Sequence, residues 1–141
     1  MEKITALNQY FTHDPTPLIF ENIYWPKAQL PSICFPNQTT WKNCRLPYSN
    51  FYNAKKRDNT IENVTYRSSH LMDANFDGST MTNVSFRFAN IMGISMEDVK
   101  KVGSIRTLGA KKKKFWLQKV LDNNPWLRSL TSGISIEKRH Y

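Results

Sequence analysis

The side chains that commonly carry catalysis or bind metals are few and scattered in this sequence. Histidine occurs at positions 13, 70 and 140, and Cys34 and Cys44 have no C-x-x-C spacing. There is no Gly-x-Ser-x-Gly nucleophile motif and no glycine-rich phosphate loop. We therefore predict that the protein is not an enzyme and has no metal site, no cofactor and no small-molecule substrate.

Carboxylates in the middle of the chain are the remaining candidates for acid–base chemistry. They stand at positions that the repeat described below is expected to turn outward, so we interpret them as a solvated surface. These residues are Asp58, Glu62, Asp73, Asp77, Glu97 and Asp98.

Positive charge is concentrated near the C-terminus. The net charge is +9, and residues 99–141 contain eleven Lys and Arg against two Asp and Glu. Four consecutive lysines at the start of a predicted helix oppose its dipole, so they serve solubility or bind an anionic partner such as a membrane surface or nucleic acid. The predicted contacts to such a partner are Lys111, Lys112, Lys113, Lys114, Lys119 and Arg128.

A five-residue period orders most of the sequence that precedes this tail. Residues 74–78 (ANFDG) recur as residues 89–93 (ANIMG), and a large apolar residue occupies the centre of almost every five-residue unit. A period of five is neither the 2.0 of a flat strand nor the 3.6 of a helix, so it indicates an internal repeat. The apolar central residues, predicted to form the core, are Phe20, Trp25, Leu30, Phe35, Trp41, Leu46, Phe51, Ile61, Tyr66, Leu71, Phe76, Met81, Phe86, Ile91 and Met96.

The repeat resembles the A-(D/N)-(L/F)-X-X unit of the pentapeptide-repeat family over residues 16–98. The resemblance implies a right-handed, four-sided parallel β-helix with four units per coil and about four coils. We therefore predict an all-β solenoid over 16–98, a short N-terminal cap over 1–15, and a basic C-terminal helical cap or tail over 99–141.

Stacking of residues one coil apart supports this fold, because each column of central residues is similar in size. One such column contains Phe20, Trp41, Ile61 and Met81. A column of polar residues two positions before these centres is predicted to satisfy itself by hydrogen bonds. It contains Thr39, Asn59 and Ser79.

Lys56 is the one central position that is not apolar. A buried ammonium without a partner is costly, so we expect a local bulge that carries this side chain to solvent. A basic binding spot at this point is the alternative.

The C-terminal segment also has an apolar face at helical spacing. We predict that this face caps the open end of the last coil, because an uncovered solenoid end invites edge pairing. The alternatives are a homodimer contact, which the family resemblance includes, and an amphipathic helix at a lipid interface. The cap or dimer residues are Trp116, Leu117, Val120, Leu121, Trp126 and Leu127.

The resemblance suggests several functions, which charge helps to separate. Some pentapeptide-repeat proteins imitate DNA with a strongly acidic solenoid and bind topoisomerases, but residues 16–98 carry eight basic and seven acidic side chains. We therefore predict a protein–protein interaction module, as in bacterial secreted effectors or scaffolds of this family, with an unknown protein partner. An anionic membrane or nucleic-acid binder acting through the basic helix is the alternative.

The sequence contains no apolar run of the 18 or more residues that a membrane span needs, and no secretory signal is recognisable at its start. Two cysteines are too few for a disulfide framework. We expect a protein that is cytoplasmic or exported without a Sec signal.

Overall fold

The computed structural model describes residues 2–111 as one helix followed by five parallel strands. The strands form one sheet in the order β1-β2-β3-β4-β5, so each strand pairs with the next one along the chain. Because two consecutive parallel strands need a connection that returns the chain to the same end of the sheet, each strand with its connection forms one coil. The elements are α1 (Glu2–His13), β1 (Ile19–Glu21), β2 (Thr40–Arg45), β3 (Thr60–Thr65), β4 (Thr80–Ser85) and β5 (Lys100–Arg106).

The register confirms the predicted parallel β-solenoid of about four turns. Trp41 pairs with Ile61 and Ile61 with Met81, so one coil takes twenty residues. A left-handed residue inside each of β2 to β5, such as Asn43 in β2, divides the strand between two sides of the coil. Isolated bridges form two further rows of parallel pairing, one of which joins Asn50 to His70 and His70 to Asn90. The coil is therefore four-sided, and we number the sides one to four from the side that carries the first half of each strand, such as residues 40–42 of β2.

A left-handed backbone position explains why the period is five. The second residue after almost every centre has positive φ, as at Asn43 (54°), Asn63 (52°) and Gly78 (73°); after Phe35 it is the third, Gln38 (64°). Glycine, asparagine and aspartate tolerate this conformation best, and proline suits the preceding position of such a turn, as at Pro26 and Pro47. Each unit therefore points two side chains inward and uses three residues to turn a corner.

The core is the column of space inside the four sides. Twelve of the fifteen apolar central residues are buried, whereas Phe20 and Met96 are partly buried. Trp25, placed in the core by the sequence, is 38% exposed. It lies in the first coil, where only one neighbouring coil packs against it.

Buried hydroxyls and amides in the core are satisfied mainly by the backbone rather than by each other. Asn59 Nδ2 donates to the carbonyl oxygen of Arg57 at 2.9 Å, and its Oδ1 accepts from Trp41 Nε1 at 3.1 Å. The Ser79 hydroxyl donates to the Lys56 carbonyl at 2.6 Å and accepts the Asn59 N–H at 3.0 Å. The predicted polar column is thus buried, but it ties consecutive turns together through main-chain groups.

Helix α1 covers the exposed end of the first coil. Ile4 is buried and Phe11 packs against the core. Asn8 completes the contact, since its Nδ2 donates to the carbonyl of Ser32 at 3.0 Å and its Oδ1 accepts the N–H of Cys34 at 2.8 Å. Backbone groups of that coil that no earlier turn can reach are thereby satisfied.

The solenoid continues past residue 98, where the sequence analysis placed the end of the repeats. Strand β5 pairs with β4, and Asn90 bridges to Lys111. A register shift between Thr82 and Val84 adds one residue to β5 beside Gly103, which hides the period of five in the sequence. A similar extra residue sits at the corner after Phe35. Within residues 2–111, no helix has the length and apolarity that a membrane span requires.

Candidate functional site

Outward side chains on the second side, and at the corner that follows it, form a surface rich in arginine and aromatic residues. Backbone bonds align the successive coils here, for example from the Trp25 N–H to the Arg45 carbonyl at 2.9 Å and from the Tyr48 N–H to the Arg67 carbonyl at 3.0 Å. We call this surface the basic face. Its residues are Tyr24, Lys27, Arg45, Tyr48, Arg67, Arg87, Phe88 and Arg106.

The aromatic rings of the basic face are exposed and two of them are paired with arginines. Tyr24, Tyr48 and Phe88 are 62%, 61% and 50% exposed. The Arg45 guanidinium lies 4.9 Å from the Tyr24 ring centre, and that of Arg67 lies 4.9 Å from the Phe88 ring centre. Such stacking orders the guanidinium while leaving its N–H donors free for another group.

Charge is segregated around the solenoid although its net charge is small. The basic face contains no carboxylate, whereas the diagonally opposite corner, after the fourth side, carries four of the seven carboxylates of residues 16–111 and one cation, Arg57. We call this second surface the acidic corner. Its carboxylates are Asp58, Asp77, Glu97 and Asp98. Charge summed along the sequence does not reveal this separation, which appears once outward residues are grouped by column.

Carboxylates of the acidic corner are partly used to hold the turns. Asp77 Oδ1 accepts from the Ser95 hydroxyl at 2.6 Å and from the Glu97 N–H at 2.8 Å. The Asp58 carboxylate lies against Gly78, where a Cβ would clash with it. In contrast, none of the cations of the basic face forms an ion pair with another residue of the 2–111 range, and the buried Arg87 Nε has no hydrogen-bond partner there.

A surface groove of about 550 Å³ lies on the basic face and spans four coils. Among its lining residues on the second side, Arg45 comes from the first of these coils and Arg106 from the last. Hydroxyls of Thr65 and Ser85 stand between them in the same column, since Arg45 pairs with Thr65, Thr65 with Ser85, and Ser85 with Arg106. We call it the axial groove. Its remaining polar lining comes from Asn63, Asn83 and Ser104.

Lys56 is fully buried, so the expectation that a bulge carries it to solvent is wrong. Its Nζ donates to Tyr66 Oη at 2.7 Å and lies 3.6 Å from the centre of the Trp41 ring and 4.3 Å from that of Phe51. The rings of Phe35 and Tyr66 complete the enclosure. We call this arrangement the lysine cage.

Burial lowers the pKa of Lys56 well below its usual value and raises that of Tyr66 well above its own. Both shifts act against the charged forms, the ammonium of Lys56 and the phenolate of Tyr66. Rings that surround the amine replace water on every side, which explains why the backbone keeps the repeat here without a bulge. The cage is closed to solvent, so it contributes to the fold rather than to a binding site.

Most of the tail residues proposed from the sequence lie outside the described range. Lys111 is described and exposed at the end of the third side. The other predicted anionic contacts, Lys112, Lys113, Lys114, Lys119 and Arg128, lie outside it. The same holds for the predicted cap or dimer residues Trp116, Leu117, Val120, Leu121, Trp126 and Leu127.

Candidate metal ligands do not come together in the described part of the chain. No group of three His, Cys, Asp or Glu side chains there could hold an ion. His70 stacks on Tyr52, with ring centres 5.5 Å apart, and Cys44 is buried with its thiol directed at the carbonyls of Phe20 and Lys42 at 3.3 Å.

Comparison with known proteins supports the repeat assignment. Residues 67–98 match the family model described as pentapeptide repeats, in eight copies. No curated protein matches the sequence.

Several solved structures are similar to the chain at low sequence identity. A pentapeptide repeat protein, Rfr23, from the cyanobacterium Cyanothece 51142 is 13% identical over 78% of this chain and 96% of its own, with a TM-score of 0.45. HetL, a pentapeptide repeat protein involved in heterocyst differentiation regulation from the cyanobacterium Nostoc sp. strain PCC 7120, is 11% identical over 65% of this chain and 48% of its own, with a TM-score of 0.42. QnrB1, a plasmid-mediated fluoroquinolone resistance protein, is 10% identical over 74% of this chain and 70% of its own, with a TM-score of 0.35.

Proposed function

We propose that this chain, whose residues 67–98 match the pentapeptide-repeat model, is a non-enzymatic binding module that recognises an acidic surface of another protein through its basic face. The observation that supports this most directly is the charge segregation. Five cations and three exposed rings share one side of the solenoid with no carboxylate, and four of the seven carboxylates of residues 16–111 lie at the opposite corner. A partner of opposite charge would be steered to one side of the molecule.

The composition of the basic face is that of a protein-binding surface. Arginine and tyrosine are enriched at the centres of protein interfaces, where a flat ring or guanidinium contributes contact area with little loss of side-chain entropy. Arg67 and Arg45 are already stacked on rings. They would therefore meet a carboxylate in a partly ordered state, which lowers the entropic cost of binding.

Repeated rigid units also suit this role. The backbone of each coil is hydrogen-bonded to its neighbours on four sides, so outward side chains are held at fixed intervals of about 4.8 Å along the axis. A flat, regularly spaced surface of this kind needs little rearrangement to dock a partner.

The proposal is tested by capture of partners from the native host followed by mass spectrometry, using the full chain and a double variant, Lys27→Glu with Arg67→Glu. Both residues are exposed on the basic face. The matched control is Lys55→Glu with Lys100→Glu, which changes the net charge equally at exposed positions outside it. We expect the captured partner to be lost, by about tenfold or more, only with the first double variant. Equal loss with both variants, or with neither, contradicts the proposal.

A second candidate function is binding of an anionic membrane or nucleic acid through the basic C-terminal segment. Lys111, the first of its four lysines, is exposed and follows Arg106 of the basic face by five residues. Liposomes with anionic lipid and a DNA duplex are the probes, each titrated against the full chain and a chain truncated after Lys111 across salt concentration. Binding that requires residues 112–141 and vanishes at high salt favours this candidate.

A further inference from the structure

The hydrogen-bonding capacity of the axial groove is biased toward donors. Thr65 Oγ1 accepts the N–H of Arg67 at 3.3 Å, and Ser85 Oγ accepts the N–H of Arg87 at 3.4 Å. Each hydroxyl therefore keeps its own O–H to donate, and neither has an acceptor among residues 2–111. Asn83 Oδ1 likewise accepts the N–H of Ser104 at 3.0 Å, which leaves its amide N–H groups free.

Among the residues that line the axial groove, the only cations are Arg45 and Arg106, at the two ends of the column that contains Thr65 and Ser85. Arg45 and Arg106 are three strand steps apart, a distance of about 14 Å at ~4.8 Å per step. An extended peptide rises about 3.4 Å per residue and turns every second side chain to the same face. Side chains at positions i and i+4 of such a peptide are therefore also about 14 Å apart.

From this match we propose that the axial groove binds an extended acidic peptide segment whose carboxylates four residues apart reach Arg45 and Arg106. The hydroxyls of Thr65 and Ser85 would donate to acceptor atoms of the residues between. This inference rests on the proposed function, since it specifies which part of the partner meets the basic face and in which conformation.

A nucleic acid fits the groove less well than a peptide does. Every nucleotide carries a phosphate, so several charges would lie opposite Thr65 and Ser85, where the groove lining offers hydroxyls and the nearest cations, Arg67 and Arg87, lie at the adjoining corner. The spacing of two charges separated by neutral acceptors is a property of an acidic peptide.

The experiment compares two fluorescently labelled peptides of equal composition and about nine residues, one with glutamates at i and i+4 and one with adjacent glutamates. Binding to the full chain is followed by fluorescence anisotropy. We expect the spaced peptide to bind about fivefold or more tightly than its isomer. We expect Arg45→Gln and Arg106→Gln each to weaken the spaced peptide by about the same factor and to remove the difference between isomers. Lys100→Gln, at an exposed position on the first side, is the control and should change neither affinity.

Other outcomes overturn the inference. Equal affinity for the two isomers removes the spacing argument, and so does a loss with Lys100→Gln as large as that with Arg45→Gln. An oligothymidylate of similar length that binds more tightly than the spaced peptide, in an Arg106-dependent manner, assigns the groove to nucleic acid instead. If neither peptide binds but partner capture still depends on Lys27 and Arg67, the groove assignment fails while the proposed function stands.

Discussion

The interior and the exterior of this solenoid hold basic side chains in opposite ways. Inside, Lys56 is 0% exposed, and four aromatic rings and one phenol oxygen replace its water. Outside, Arg67 keeps its water and stacks on a single ring. The difference teaches that the register of the repeat, and not the residue type, decides where a side chain points; the neighbouring columns then decide whether it can stay charged.

We expect the largest loss of stability from a charge placed in an interior column outside the lysine cage. Phe76→Asp buries a carboxylate among apolar side chains, so we expect loss of about 5 kcal/mol or more and no cooperative unfolding transition in urea. The control is the neighbouring outward Asp77→Ala, which removes two hydrogen bonds and should cost about 1–2 kcal/mol while the fold remains. A folded Phe76→Asp variant would falsify the inward assignment.

Replacing both polar residues of the lysine cage, Lys56 and Tyr66, by apolar ones should instead increase stability. We expect Lys56→Met combined with Tyr66→Phe to stabilise the chain by about 1–3 kcal/mol, because a well-packed apolar pair needs no desolvation. Tyr66→Phe alone should destabilise it by a similar amount, since the buried amine loses its acceptor. Urea denaturation followed by circular dichroism measures both. Destabilisation by the double variant would mean that the amine itself holds the rings in place.

The cage also predicts an unusual dependence of stability on pH. The folded pKa of Lys56 is lowered, so below the unfolded pKa of about 10.4 the unfolded chain binds a proton that the folded chain excludes. Stability should therefore rise with pH, by at most about 1.4 kcal/mol per unit, between the lowered folded pKa and ~10.4.

Tyr66 gives the opposite sign at high pH. Its folded pKa is raised, so the free energy of unfolding that Tyr66 contributes is fully present below the unfolded pKa of about 10. It is lost as pH rises above that value. The free energy of unfolding, measured in urea from pH 6 to 11, should thus increase toward pH 10 and then fall. The variant with Lys56→Met and Tyr66→Phe should lose both slopes; if it keeps the rise, other groups cause it.

Charge reversal on the exterior should have the smallest effect on stability. We expect Lys27→Glu with Arg67→Glu to change the free energy of unfolding by less than about 0.5 kcal/mol, because both side chains are exposed and lose only a surface ring contact. Thermal unfolding of this variant beside Lys55→Glu with Lys100→Glu measures the difference. A large loss would show that the basic face supports the fold, and its binding data would then need a milder substitution.

The sequence predicted the fold well because the interior of a solenoid repeats one simple requirement. Trp41, Ile61 and Met81 are one coil apart, so a regular coil stacks them. The register pairs Trp41 with Ile61 and Ile61 with Met81. Lys56 was misplaced because its fate depends on rings from other columns, such as Trp41 and Phe51. No local rule for a single five-residue unit contains that information.

The candidate site was harder to predict, since the basic face is built from outward columns. Arg45, Thr65, Ser85 and Arg106 are far apart in sequence and adjacent only after the coil is wound. The spacing of twenty residues between Arg45 and Thr65 was available, but the extra residue beside Gly103 removed Arg106 from the visible pattern. If the sequence is written in rows of twenty residues with one insertion allowed, Arg45, Thr65, Ser85 and Arg106 fall in one column.

The corner after the fourth side has a practical consequence. Phe35 is followed by one residue more than the regular unit allows, yet the Gln38 N–H still reaches the Asp58 carbonyl at 2.8 Å, and the pairing of Phe20 with Trp41 is kept. The bend takes up surplus chain length without moving the strands on either side. This corner is therefore a natural graft point, where a peptide tag or sensor loop can be inserted between Pro36 and Gln38 while the remaining coils keep their stacking.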